Sequence, residues 1–430
     1  MKMDKRRLAL VAHKTCFGRW SKMRNKILFL VFLLSGLMGG ILYSYEKADG
    51  FTEFIWEKNF GNPIMDNFLG CMAVSSKDQA LFLAGFSLEG SNRPVASGTF
   101  WIKKLTFDEK KIEGVYDETI PSSVGLVPVY RYVEAMTVID DDELIVLSEF
   151  ELNRPVLMRL KKSGGVIFKK RINDLLETDL DVRFFNALST KQNNVLLLGH
   201  ESENALAVLI NKDGKVLWKR NWNFGKTNFL LTAVPTNSGG FVLVGNSGSY
   251  SKYGLGSSSV FLLRVDSEGN QLKFASFPGR RGDICVADNR NYLLVYDKSE
   301  NSNQNIYLKK LSLELKSENE THLDDVGLGF EGFRISPIGK NNFIVTGIKD
   351  FKLLVKRIDV DGKKVWNNIS GNENDPDGRW FTRCDGLSSS GGGFYLGTTS
   401  SHFDRDRSLE LHMPTIIKIK ENDQGEAETK

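Results

Sequence analysis

Metal or nucleophile chemistry would first show as His, Cys and carboxylates at short, fixed spacings, and this 430-residue chain uses them sparingly. Its five His (His13, His200, His322, His402 and His412) form no H-E-x-x-H or His-x-His pattern, and, with His13 set aside in the basic N-terminal segment, none of the other four stands at ligand spacing from a Cys. No built-in zinc site is read from them. No Ser, His and Asp share a recognisable catalytic context. Asn372-Glu-Asn-Asp-Pro-Asp-Gly378 is the richest run of oxygen ligands. It lacks the alternating order and the distal Glu of a calcium loop, so it reads as a solvated turn. The Gly-rich stretch from Ser388 to Gly393 precedes a strand-like segment with no helix behind it, which excludes a phosphate loop. Arg281-Gly-Asp283 spells an adhesion tripeptide, too short to carry weight, and the sequons at Asn319 and Asn368 matter only in a glycosylating host. The sequence therefore assigns no catalytic residue, no metal and no cofactor.

These groups have to be positioned by strands, and the strands recur. Gly239-Gly-Phe-Val-Leu-Val-Gly245 is followed by the apolar run 260–265 and the turn Asp266-Ser-Glu-Gly-Asn270. The same grammar returns at 193–199, 205–210 and Asp213-Gly-Lys-Val-Leu-Trp218, and again at 341–347, 353–358 and Asp361-Gly-Lys-Lys-Val-Trp366. Weaker copies keep the register, so that Gly85, Ser148, Gly199, Tyr296, Gly347 and Gly397 match the position of Gly245, with successive separations of 63, 51, 46, 51, 51 and 50 residues along the seven. Alternating aliphatics between Gly, Asn and Asp turns predict short antiparallel strands with no amphipathic helix between them. Units of this length with four strands each predict an all-β, seven-bladed β-propeller over 46–420. The last unit supplies three strands. Thr52-Glu-Phe-Ile-Trp56 matches the fourth strand of other units and is predicted to close the ring from the N-terminal side, removing two sheet edges. Residues 421–430 read as a disordered tail. Cys71, Cys285 and Cys384 fall on the first strands of their units. Cys71 and Cys384, in the neighbouring first and last units, could form a disulfide, but equivalent positions on adjacent blades sit too far apart for easy bridging, and the reading is buried thiols.

The Asp-Gly-Lys-x-x-Trp phrase at 213–218 and 361–366, with its echo Ser163-Gly-Gly-Val-Ile-Phe168, resembles the tryptophan-docking repeat of quinoprotein-type (PQQ-like) propellers. The wider repeat also looks like those of exported bacterial propellers of unassigned function. The resemblance covers nearly all of 46–430, and its motifs are structural. It implies a propeller in which Trp or Phe fills the seam between blades. Some members of that family hold a quinone and act as dehydrogenases, whereas others only bind protein. The predicted blade count departs from the eight usual there and no adjacent Cys pair is present, so quinone binding is not carried over.

The connections between second and third strands share one face of a propeller, and three are long: Phe86–Gly98, Asn246–Ser259 and Thr398–Pro414. They bring Arg93, Tyr250, Tyr253, His402, Arg405 and Arg407 to that face, and the turn before the last unit adds Arg379 and Trp380. Arg, Trp and Tyr commonly dominate binding energy. Trp380 serves either that surface or a seam between blades, and the loop carrying His402 is otherwise a solvated loop. The expected role is a non-enzymatic scaffold that holds a protein partner on this face. The alternative is a quinoprotein-like cofactor-binding enzyme acting on a small molecule in the central channel. A convergent set of charged or His side chains on the innermost strands would favour the enzyme. Segments 69–74, 186–189 and 231–234 are poor in such groups.

Charge places the molecule. The chain is 41% hydrophobic, with 57 Lys and Arg against 53 Asp and Glu, which excludes a disordered polymer and gives a net +4. Residues 1–45 hold nine of the basic residues and a single acid, Asp4, a balance of +8 that leaves −4 for the remainder. The nine all precede Ile27–Tyr45, nineteen residues without charge. The expectation is a basic cytoplasmic segment (1–26) and an N-in membrane span (27–45), with the propeller in the periplasm or envelope. A cleaved signal peptide, with Met23 as an alternative start, would release the same propeller as a periplasmic or secreted protein. The −4 body shows no basic, aromatic-interleaved stripe, so nucleic acid is not an expected partner.

Overall fold

The computed structural model describes residues 52–421 apart from connecting segments at 60–65, 89–97, 107–111, 121–132, 140–142, 152–153, 252–253, 301–302, 327–330, 339–340, 350–351, 371–379, 391–392 and 405–408, and residues 76, 79 and 226. The anchor expected at 27–45 lies outside the described residues; so does the tail expected at 421–430 except Glu421, which instead ends the last strand opposite Thr52. Among the described residues, no helix is long and apolar enough to cross a membrane.

Twenty-eight strands among the described residues form seven four-stranded antiparallel sheets. Six are simple meanders, and the seventh has the order of Trp380–Ser390, Gly393–Asp404, Leu409–Glu421 and then Thr52–Asn59. Thr52 lies opposite Glu421 and Asn59 opposite Thr415, so the N-terminal strand completes the last sheet as the repeat pattern predicts. The first strands of the sheets are Asp66–Ser75, Val133–Ile139, Val182–Ser189, Thr227–Pro235, Gly282–Val286, Glu331–Ile338 and Trp380–Ser390. Each packs against the first strand of the next sheet, and the last packs against the first. The sheets are thus blades around an axis, numbered 1 to 7 in that order. Second and third strands are buried on both faces because each blade is sandwiched between two others. Leu196 and Leu198 face blade 4, while Val195 and Leu197 face blade 2.

One position explains the blade's local geometry. Gly85, Gly199 and Gly245 sit on second strands, opposite first strands that each carry one extra residue: Gly70, Phe185 and Leu231. The bulged first strand leans onto the glycine. A Cβ at Gly245 would overlap the Phe229 carbonyl oxygen and the Phe261 ring, and one at Gly85 would overlap the Phe68 carbonyl and the Trp101 indole. In blade 5 the arrangement inverts. Tyr296 occupies the second-strand site, the residue opposite is Gly282, and the first strand pairs without a bulge.

Seams between blades are set by the turn leading into each outer strand. Gly214, Gly269 and Gly362 take positive φ there, which L-residues resist. Each seats its turn against the preceding blade: Gly214 on the Phe168 ring, Gly269 on Trp218, and Gly362 on Leu308 and Thr321. Trp218 Nε1 donates to the Ser267 carbonyl at 2.9 Å. Third-strand cations reach the same turns. Arg159 donates to the Lys212 carbonyl at 3.0 Å and Arg264 to the Leu313 carbonyl at 3.0 Å. One departure from the strand-only expectation is a five-residue helix, Ile172–Leu176, in the link to blade 3. Its Ile172 is buried, Glu177 ends it in the left-handed region, and the Asn173 amide donates to the Thr178 and Leu180 carbonyls.

Candidate functional site

The inner wall is the first place to look for chemistry. It holds two polar groups from the segments read in the sequence, Asn186 and Thr232, and two charged groups outside them, Asp283 and Arg334. Register puts Asn186, Thr232, Asp283 and Arg334 at one level on four successive blades, each one step from the second-strand glycine position. The Asn186 amide donates to the Leu231 carbonyl of the next blade at 3.1 Å. Asp283 is buried, accepts from the Ile335 backbone N–H at 2.8 Å, and also accepts from Thr232. Burial pushes its carboxyl above the ordinary carboxylate value, and the Arg334 guanidinium opposes that rise. Asp283 thereby ties blades 4, 5 and 6 together. The adhesion tripeptide at 281–283 is not displayed, because its carboxylate is spent in this seam.

The thiols follow the same logic. Cys71 and Cys285 are buried thiols on first strands. Burial, and then the Asp283 charge, push the Cys285 thiol well above its ordinary value, which makes it a poor nucleophile. Cys384 lies on the first strand of blade 7, as expected, and its side chain is outside the described residues. His200 stacks on Phe185 with centroids 5.6 Å apart and places Nδ1 2.9 Å from the Ser202 carbonyl, so its ring is committed locally. His322 packs on Tyr307 at 5.3 Å on the outer strand of blade 5, away from His200. Among the described residues, no three His, Cys, Asp or Glu are grouped to hold a metal.

The face carrying the second-to-third connections differs from its sequence reading. In blades 4 and 7 the expected loops are largely ladders. Phe241–Ser251 pairs with Gly254–Val265 out to Ser251 opposite Gly254, past one bulge after Gly248. Gly393–Asp404 pairs with Leu409–Glu421 out to Asp404 opposite Leu409. The corresponding strands of blade 3, Val195–Glu201 and Asn204–Ile210, are seven residues each, whereas these four are 11 to 13. Two hairpins therefore project beyond the blades. Ser and Gly dominate 247–259, so the apolar alternation that marks a strand is missing, and pairing with the opposite arm supplies the order instead.

Of the residues expected on that face, Tyr250 lies opposite Leu255 near one hairpin tip, His402 opposite Leu411 in the other, and Trp380 begins the first strand of blade 7 opposite Ser401. The register thus brings Trp380 and His402 to neighbouring positions of one sheet. Their side chains, like Arg93, Tyr253, Arg379, Arg405 and Arg407 as whole residues, lie outside the described residues.

No family model matches the chain, and no curated protein matches it. Solved structures do. The WD40 domain of Toxoplasma gondii coronin is 8% identical, with 86% of this chain and 87% of that one covered and a TM-score of 0.50. Drosophila plexin A, solved with semaphorin 1b, is 8% identical over 86% and 87% at a TM-score of 0.47. A Bacteroides fragilis protein provisionally assigned as a 6-phosphogluconolactonase is 10% identical over 81% and 94% at 0.46. At such identities the likeness is one of fold alone, and the fold is the β-propeller.

Proposed function

We propose that this chain is a closed seven-bladed ring that works as a non-enzymatic scaffold, tethered to a membrane by residues 27–45 and holding a protein partner on the face with the projecting hairpins. The observation that carries the reading is the elongation of the hairpins in blades 4 and 7. Strand pairing continued well past the blade has no core to cover, so its use is outward contact. Trp380, Tyr250, Tyr253 and His402, with Arg93, Arg379, Arg405 and Arg407, form the contact set on that face. The inner wall supports the same choice, since Asp283, Asn186 and Thr232 are spent on seams between blades. The seating of the Gly269 turn on Trp218 supports a tryptophan-docking repeat used structurally.

The test is crosslinking and affinity capture of the full chain from its native envelope, comparing the parent with a Trp380→Ala, Arg405→Ala double variant and an Arg405→Ala single variant. The expected result is a defined partner lost from the double variant and weakened in the single one, with both variants folded by circular dichroism. An unchanged partner set in folded variants would overturn the assignment to this face.

A further inference from the structure

The opposite face carries a second surface. Outer strands begin at the end of the blade where the third-strand turns lie, across the ring from the projecting hairpins. In blades 2 and 3 that rim is strongly basic. Residues 161–171 and 211–222 contain nine Lys and Arg and one acid, Asp213, a balance of +8 within a body of net −4. The outer strand of blade 5, two blades beyond blade 3, has the opposite sign: Ser317–Val326 carries Glu318, Glu320, Asp324 and Asp325. Some of the cations serve the fold. Lys162 pairs with Asp78 at 2.6 Å and Lys219 with Glu201 at 2.6 Å. Lys161 and Lys215 are exposed at the turns themselves.

Large aliphatic side chains stand among these charges. The register of each outer strand skips one residue just after the turn: Ile167 in blade 2, Leu217 in blade 3 and Leu272 in blade 4. The bulge turns them outward, leaving Ile167 39%, Leu217 47%, Leu272 49% and the adjacent Val166 46% exposed. The same run, Val216-Leu217-Trp218, sends Trp218 into the seam. Aliphatic tips within a basic field are the chemistry of a protein surface that seats on an anionic bilayer.

The point where the chain reaches the ring chooses the occupant. Thr52 opens the outer strand of blade 7 and pairs with Glu421, where the third strand ends, so the chain joins the propeller on this same face. Only residues 46–51 separate it from the uncharged run 27–45, and six residues span at most ~20 Å. We propose that the turn-bearing rim of blades 2 and 3, with Lys161, Lys215, Ile167 and Leu217, rests on anionic phospholipid and fixes the ring face-on, so that the projecting hairpins point away from the membrane. This inference rests on the tethered reading above and adds the lipid class and the orientation to it.

The full chain is reconstituted in vesicles of phosphatidylcholine and, separately, of equimolar phosphatidylcholine and phosphatidylglycerol, and amide hydrogen exchange is read over 161–171 and 211–222. Exchange there should slow by roughly tenfold or more on the anionic vesicles only, and the protection should fall as salt is raised. Lys161→Glu with Lys215→Glu and Leu217→Ser should lose it, while protection of the second strand Val195–Glu201 stays as in the parent. Equal exchange on the two lipids overturns the proposal, as it would if an acidic protein were the occupant, and this comparison of the parent stands even if the variant does not fold. Carbonate extraction separates the two claims. Retention without lipid-dependent protection overturns the orientation alone, release without protection overturns the tether as well, and release with protection keeps the lipid surface and removes the tether.

Discussion

Asp283 offers a test of how the ring is held. Its carboxylate serves blade 6 through the Ile335 N–H and blade 4 through Thr232, with Arg334 nearby. Asp283→Ala strands the Ile335 and Ile284 N–H groups and the Thr232 hydroxyl in a buried seam. Each buried donor left unsatisfied costs about 1–3 kcal/mol, so the expected loss is at least about 3 kcal/mol. Asp283→Asn keeps one oxygen for the Ile335 N–H. It gives up the attraction to Arg334 but also the cost of burying a charge, and these oppose, so the net change should stay within about 1 kcal/mol. The variants also differ in pH dependence. Burial raises the Asp283 carboxyl from an ordinary value of 3.8 in the folded chain, so folding takes up a proton in the interval above 3.8. That contribution to stability is fully present below the unfolded value and is lost as pH rises through the folded one. Asparagine cannot titrate, so the Asn variant should gain on the parent as pH climbs through that interval. Urea denaturation followed by tryptophan fluorescence at several pH values measures both effects. An Asn variant as damaged as the Ala variant, or a parent-to-Asn difference flat with pH, would refute this account of the seam.

Other outcomes follow from the same geometry. Gly245→Ala should cost about 1–3 kcal/mol because its Cβ overlaps the Phe229 carbonyl and the Phe261 ring. Gly165→Ala, with its nearest neighbour 3.8 Å away, should leave the thermal midpoint unchanged. Trp218→Ala removes a buried indole and its bond to Ser267, an expected loss of about 3–5 kcal/mol. Hydrogen exchange should quicken first in the turn at 266–270, and uniform quickening would contradict a local role. Deleting residues 1–59 uncovers the edge of Leu409–Glu421, and light scattering should report concentration-dependent association of that variant. Continued monodispersity would mean the N-terminal strand is dispensable. Cys285 should resist iodoacetamide in the native protein and react once urea is added.

Much of the ring could be read from the chain because its marks are local. Gly245 and its six equivalents recur at nearly constant spacing, and all of them lie on second strands. Hairpin turns such as 266–270 announce themselves through Asp and Gly within a few residues, since positive φ is demanded at a defined place. The closing strand was legible for the same reason: its Trp56 repeats the phrase around Trp218.

The candidate surfaces were less legible. The long second-to-third connections could be located in the sequence, yet in blades 4 and 7 they are paired hairpins, because a Ser- and Gly-rich strand is defined by its partner rather than by its own alternation. Asp283 looked like part of an adhesion motif, and its meaning depends on Ile335, 52 residues away in the next blade.

The amino-acid sequence by itself determined the repeat, the turn positions, the closure and the separation of a +8 N-terminal segment from the −4 remainder, all properties of neighbouring residues and of simple charge. Tertiary structure alone decided which groups face outward. Val216, Leu217 and Trp218 read as one apolar run, and a single skipped residue in the outer strand sends Trp218 into the seam and Leu217 into solvent. The physical reason is that a bulge is a mismatch between two strands, so neither strand encodes it alone.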